Sequence, residues 1–103
     1  MIVCITAKSG TLEAELDERF GRCVFFIFYN TETKKYEAFK NPHAEDQSGA
    51  GTKSAEFVML KGVKMLISGH LGPNAERGIS AAGIEFVPES SGTVKDIIEK
   101  RFK

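Results

Sequence analysis

Apolar positions come in strand-like runs in the first half of the chain and at helical spacing in the second. Residues 1–7 are almost continuously apolar, the pattern of a central strand covered on both faces. Residues 23–30, from Cys23 to Asn30, form a second such run, rich in β-formers. A polar stretch at residues 30–34 predicts a turn, and Tyr36-Glu37-Ala38-Phe39-Lys40 a more exposed strand, paired as a hairpin with the second. Ala55, Val58 and Met59 then stand at helical spacing, with Gly62 placed to end that helix. Residues 63–68 predict a strand. Gly72-Pro73 opens a second helix, with proline in its favoured first turn, and Gly83 closes it. Ile84-Glu85-Phe86-Val87 predicts a short strand stopped by Pro88. Thr93 as N-cap, Asp96 three residues on, and a stripe of Val94, Ile97, Ile98 and Phe102 predict the last helix. The order is β-β-β-α-β-α-β-α, a single α/β domain over residues 1–103 with no internal boundary or repeat.

This order places the loops. If the first three strands alternate in direction and the last two follow helical crossovers, the second strand is antiparallel to the first, fourth and fifth. The connections at residues 8–22, 41–51, 69–72 and 88–92 then gather at one edge of the sheet, where all three helices also begin. Helix starts carry unpaired N–H groups and the positive dipole end, so such an edge suits an anionic ligand. The 8–22 and 41–51 segments are long, polar and glycine-containing, with little apolar periodicity, which fits either a functional loop or a disordered one. For 41–51 the expectation is a loop that is mobile until ligand binds.

Composition narrows the function classes. Lys plus Arg and Asp plus Glu each total 14, so the formal net charge is zero, unlike a nucleic-acid binder with its basic excess. The C-terminal cluster of Lys100, Arg101 and Lys103 is better explained as a solvated last helical turn than as a phosphate track. No apolar run approaches a membrane span, and Met1-Ile2-Val3-Cys4-Ile5 shows no basic leader or cleavage site, so a cytoplasmic location is expected. Two cysteines in a reducing compartment read as free thiols. Hairpin pairing would also hold Cys4 and Cys23 roughly 10 Å apart, too far for a bridge.

The residues expected at the loop edge are chemically suggestive. They include Arg19, Arg22, Cys23, His43, the Ser48-Gly49-Ala50-Gly51-Thr52 run, and Ser68-Gly69-His70-Leu71-Gly72. Thiolate and imidazole are ligands for iron, zinc or copper, and guanidinium groups hold anions. Cys23 reads equally as a small apolar residue at a strand start, and His43 as a solvated loop residue beside Pro42. His70 precedes a helix start on a loop expected to carry function. Cys4, mid-strand, reads as core packing. Gly49-Ala50-Gly51-Thr52-Lys53-Ser54 lacks the third glycine of a dinucleotide loop and has Thr-Lys where a P-loop needs Lys-Ser or Lys-Thr. Neither Cys-x-x-Cys nor His-Glu-x-x-His occurs.

Four motifs in order resemble one family. Phe20-Gly21-Arg22, Asn41-Pro42, Gly49-Ala50-Gly51 and Ser68-Gly69-His70-Leu71-Gly72-Pro73-Asn74-Ala75, with the closing Ser91-Gly92-Thr93-Val94, resemble the dinitrogenase iron-molybdenum cofactor biosynthesis family, the NifX-like group that includes the C-terminal domain of NifB proteins. The resemblance implies a ribonuclease-H-like three-layer fold: a five-stranded mixed sheet in order 3-2-1-4-5, strand 2 antiparallel, helices on both faces. It also implies a protein that carries an iron-sulfur or iron-molybdenum cluster, or its precursor, bound transiently and passed between donor and acceptor proteins. Arg19 stands where the family often has histidine, so that candidate ligand is missing here.

The expected function is therefore a non-enzymatic carrier or scaffold, a monomer or weak oligomer with no nucleic-acid or membrane partner. Its cofactor-binding residues would be Arg22, Cys23, His43, Gly49, Gly51, Gly69, His70 and Gly72, with Cys23, His43 and His70 as metal ligands. A metal-independent small-anion or nucleotide sensor and a protein-interaction module are the alternatives. A nuclease of the ribonuclease-H type is rejected, because it needs clustered carboxylates to hold two divalent ions, and the first strand has none.

Overall fold

A computed structural model describes residues 1–102; Lys103, the last residue of the basic C-terminal cluster, lies outside the described residues. The elements are β1 (Ile2–Ala7), β2 (Phe25–Asn30), β3 (Tyr36–Lys40), α1 (Ala50–Leu60), β4 (Val63–Ser68), α2 (Pro73–Ala81), β5 (Glu85–Pro88) and α3 (Val94–Phe102). They form one five-stranded sheet in the order β3-β2-β1-β4-β5. β2 is antiparallel to β1 and β3, whereas β1, β4 and β5 run parallel. The expected order and directions are those observed, and the loops and helix starts do share one edge.

Strand alternation sorts the core into two layers. Cys4, Phe26, Phe28 and Leu66 face α1 and α2, packing on Ala55, Val58, Ala75 and Ile79. Val3, Ile5, Ala7, Ile27, Tyr29 and Ile67 face α3, packing on Val94, Ile97 and Ile98. The sheet thus has helices on both faces. Phe102 completes the α3 stripe only partly buried, its ring 6.2 Å from that of Tyr29. Met59 departs from expectation: it is 48% exposed, and Ser54 joins Ala50, Ala55 and Val58 on the buried face of α1 instead. α1 and α2 approach closely because both are small where they cross, a Cβ on Gly78 falling 3.1 Å from that of Ala55. Pro88 does not stop β5 but ends it, pairing with Ser68; on an edge strand the missing N–H costs no ladder bond.

The two long connections are structured. The segment joining β1 to β2 folds back over the sheet edge, with isolated bridges Ala7↔Leu16, Glu15↔Thr93 and Arg19↔His70, and it buries Ala14, Leu16, Asp17 and Phe20. The segment joining β3 to α1 is shorter than expected, because the helix begins at Ala50. It is also tied down. Arg22 Nη1 donates to the Ala44 carbonyl at 3.0 Å and to that of Asp46, while the Asp46 carboxylate meets His43 Nδ1 at 3.0 Å and Lys53 Nζ at 3.1 Å. These contacts are absent from any periodicity in the sequence. The C-terminal cations are not merely solvated either: Lys100 and Arg101 both pair with Glu89, at 3.0 and 2.8 Å, fastening the β5–α3 connection to the last helix.

Candidate functional site

Three of the sequence motifs meet at one point. A Cβ placed on Gly21 would lie 2.9 Å from both N and Cα of Gly51, and one on Gly51 would lie 3.2 Å from the Cβ of Ala75. The Phe20-Gly21-Arg22 turn therefore rests against the start of α1, and the start of α1 against that of α2. Both helices begin without a side-chain cap, α1 after Gly49 in the left-handed region (φ 74°) and α2 after Gly72. Among the described residues the amides of Ala50, Gly51 and Thr52, and of Asn74 and Ala75, hydrogen-bond to no other group. Two positive helix ends with free donors thus stand side by side.

The third helix begins at the same edge as expected, but its amides are already taken. The amide of Val94 donates to the Ala14 carbonyl at 2.9 Å, that of Lys95 to the Leu12 carbonyl at 2.8 Å, and that of Asp96 to Thr93 Oγ1 at 3.1 Å. Thr93 is the N-cap the spacing predicted, and the folded-back segment takes up the remaining donors.

A buried polar frame holds this edge in place. Asp17, 1% exposed, accepts from Arg19 N and Nε at 3.1 Å through Oδ1, and from Arg19 Nη2 at 3.1 Å and Val24 N at 3.2 Å through Oδ2. Burial pushes the Asp17 carboxyl up, but these hydrogen bonds and the guanidinium charge outweigh it and hold the group below the usual range. Thr6 Oγ1 donates to the Asp17 carbonyl at 2.6 Å and so accepts from Ser68 Oγ at 2.7 Å, linking β1, β4 and the folded-back segment. Asn41 does the same for β3: its Nδ2 donates to the carbonyls of Gly21 and Cys23, both at 3.1 Å, and its Oδ1 accepts from His43 N at 2.9 Å. Asp17 is a residue that sequence reasoning missed. Its only local signal is an acid two residues before Arg19, too common a pair to single out.

The expected ligand set does not assemble. Among the described residues no three His, Cys, Asp or Glu side chains stand together so as to hold a metal ion. Cys23 is fully buried in the layer beneath α1 and α2, so its bland alternative, a small apolar residue entering a strand, describes its position. His43 is engaged by Asp46, and His70, exposed, sits across from Arg19 with its amide donating to the Glu18 carbonyl at 2.9 Å. Of the glycines, Gly49, Gly51 and Gly72 form the two uncapped helix starts, while Gly69 packs against Glu18 and serves spacing. Arg22 is exposed and borders a groove of about 780 Å³ with Arg19, Lys40, Pro42, Ala44 and Glu45.

Both thiols are free, as expected. Burial, then the Asp17 charge, pushes the Cys23 thiol up; burial, then Cys23, pushes Cys4 up. At about pH 8 the native protein should therefore leave both cysteines unmodified by iodoacetamide, and the urea-unfolded chain should react at both. Mass spectrometry reads this directly, and rapid native labelling of Cys23 would restore it as a surface ligand.

Comparison with curated protein sequences finds no match. Two solved structures superimpose along nearly the whole chain. The orange protein of Desulfovibrio gigas, determined in its apo form, is 29% identical with a TM-score of 0.91, over 96% of this chain and 84% of its own. A putative NifB protein from Thermotoga, determined by NMR, is 34% identical with a TM-score of 0.84, over 95% of this chain and 84% of its own. The family described as dinitrogenase iron-molybdenum cofactor matches residues 1–103, the span that carries the four motifs now seen to build one edge, and the chain belongs to that family.

Proposed function

We propose that the chain is a non-enzymatic carrier or scaffold for an anionic metal cluster of the iron-sulfur or iron-molybdenum kind, or its precursor, received from and passed to other proteins. The observation that carries this reading is the pair of uncapped helix starts at Gly49–Thr52 and Gly72–Ala75, pressed together through Gly21, Gly51 and Ala75. Free amides and helix dipoles offer hydrogen bonds and positive potential to the sulfide or oxo groups of an anion. Family membership supplies the kind of anion.

The donor set bears on how such cargo is held. With Cys23 buried, its thiol pushed up by that burial, and His43 paired with Asp46, the side chains suit a cluster that keeps its own ligands and is gripped as an anion. His70 is the one exposed soft ligand near the α2 start. Transient holding follows from this, since few or no protein–metal bonds need breaking at release. The layering and sheet order support reading the fold as ribonuclease-H-like.

The same amides favour a second reading, the metal-independent anion sensor. Anaerobic titration separates the two, using iron–sulfide-reconstituted cluster, molybdate, inorganic phosphate and ATP, followed by absorption and thermal unfolding. The cluster should bind most tightly. Arg22→Ala should weaken it about tenfold, equivalent to about 1.4 kcal/mol, with Arg22→Lys recovering much of the loss. Cys23→Ala should lower stability and leave binding unchanged. Phosphate or ATP binding at least as tightly as cluster would transfer the function to the sensor.

A further inference from the structure

β3 is a sheet edge left open. It pairs with β2 alone, and among the described residues nothing hydrogen-bonds to its outer side. The pattern of its backbone is set by the bonds that bracket it: Asn30 N to the Lys35 carbonyl and Asn41 N to the Val24 carbonyl, both 2.9 Å. Alternation between them turns the N–H and C=O of Glu37 and Phe39 inward and those of Tyr36, Ala38 and Lys40 outward. The outer side therefore offers a ladder of donors and acceptors long enough for a short added strand.

The opposite edge lacks this property. β5 has four residues, begins with Glu85 and ends on Pro88, which has no N–H to donate. Charge also divides the two edges. Lys34, Lys35 and Lys40 flank β3, and none has a carboxylate partner among the described residues. Lys61 lies over the Phe39 ring at 4.0 Å. In a chain of zero net charge this is a local basic excess, with Glu37 set among it and Glu32, in the same turn, paired with the Met1 ammonium. Between the cations the strand presents Tyr36, 40% exposed, and a half-buried Phe39.

We propose that the β3 edge receives an extended acidic segment of a partner protein as a sixth, antiparallel or parallel strand. Backbone bonds to Tyr36, Ala38 and Lys40 would supply the pairing. Apolar residues of the segment would cover Tyr36 and Phe39, and its carboxylates would face Lys40 and the Lys34–Lys35 turn. Lysines alone can serve to keep an edge unpaired, but they repel other basic strands and attract acidic ones. This surface is separate from the helix-start site and stands whether or not that site holds a cluster.

The test uses the isotope-labelled full chain and peptides of about eight residues, the length of an ordinary strand, with a central run of valine flanked at both ends by glutamate, serine or lysine. The acidic peptide should slow amide exchange of Tyr36, Ala38 and Lys40 by about tenfold or more while leaving Glu37 and Phe39, already bonded, nearly unchanged. Its affinity should fall steeply between about 0.05 and about 0.3 M salt, and the serine and lysine peptides should bind weakly or not at all. Ala38→Pro should abolish the effect with thermal unfolding close to that of the parent, since an edge strand tolerates proline on its outer side. A combined Lys34→Glu, Lys35→Glu, Lys40→Glu variant should reverse the preference toward the lysine peptide. The proposal is overturned if the acidic peptide fails to bind, or binds without protecting those three amides. It is equally overturned if they are already protected in the free chain in a concentration-dependent way, because the occupant is then a second copy.

Discussion

Gly69→Ala should destabilise the protein by about 3 kcal/mol, the upper part of the range for forcing atoms into a packed site. A Cβ there would stand 2.6 Å from the Cβ of Glu18 and 2.8 Å from its Cα. Relief would require moving backbone, and that backbone is held from both sides. The Glu18 carbonyl accepts from His70 N at 2.9 Å, and the preceding amide, of Asp17, donates to the Thr6 carbonyl at 2.9 Å. Gly72→Ala is the matched control, because nothing lies within 4 Å of its added Cβ. Urea unfolding of the two variants should show a large drop in midpoint for the first and a small one for the second. Equal, small shifts would mean that the folded-back segment yields and that the edge is not the rigid frame described above. Gly21→Ala belongs with Gly69→Ala. Its clash is with the backbone of Gly51 at 2.9 Å, so it should also part the α1 start from the turn and weaken anion capture beyond its cost in stability.

Asp17→Asn should cost about 2 kcal/mol near neutral pH, since hydrogen bonds to a charged group are each worth roughly 1.5–3 kcal/mol and the amide can keep one acceptor. The pH dependence identifies the cause. The Asp17 carboxyl sits below its ordinary range in the folded state, so the folded protein binds its proton less readily than the unfolded chain does. Its contribution is therefore complete above the ordinary aspartate value of about 4 and is lost as pH falls through the folded value. Parent and variant stability curves should lie apart at neutral pH and converge in acid. The variant keeps some acid sensitivity, because Asp46, beside Lys53 and His43, and Glu89, beside Arg101 and Lys100, are also held low. Urea unfolding at a series of pH values measures the separation. A gap that stays constant into acid would assign the loss to packing and not to the carboxylate.

Both predictions concern residues whose roles lie outside local pattern, and this marks where sequence reasoning stops. Strand and helix assignments came from periodicity and from punctuation by Gly62, Pro73, Gly83 and Thr93, which are properties of neighbours along the chain. Met59 shows the limit even there. Three apolar residues at helical spacing do not say which of two adjacent faces turns inward, and Ser54, opposite the Gly21 carbonyl, takes the place that a hydrophobicity count assigns to Met59. The connection between β1 and β2 was legible only as a long loop, although its Leu16 and Phe20 are buried in the core, 4% and 1% exposed. Those two are not periodic because each answers to a different partner surface.

What the sequence by itself determined is the order of elements and, through it, the strand directions. Three alternating strands followed by two helical crossovers leave little freedom in direction, whereas the sheet order, with β4 and β5 beyond β1, was implied by the family resemblance and is the order observed. Membership of the family was likewise carried by four short motifs in series. Only the tertiary structure decided which of the candidate residues are available. Cys23 lies next to the edge in sequence but beneath it in space, because Asn41 ties the carbonyls on either side of Arg22 to the end of β3. The α3 start is closed because carbonyls some eighty residues earlier reach it, at Leu12 and Ala14, whereas the first amides of α1 and α2, packed together through glycines, meet no such acceptor. Burial and hydrogen-bond satisfaction are fixed by distances between segments remote in the chain, and no window of sequence contains both partners.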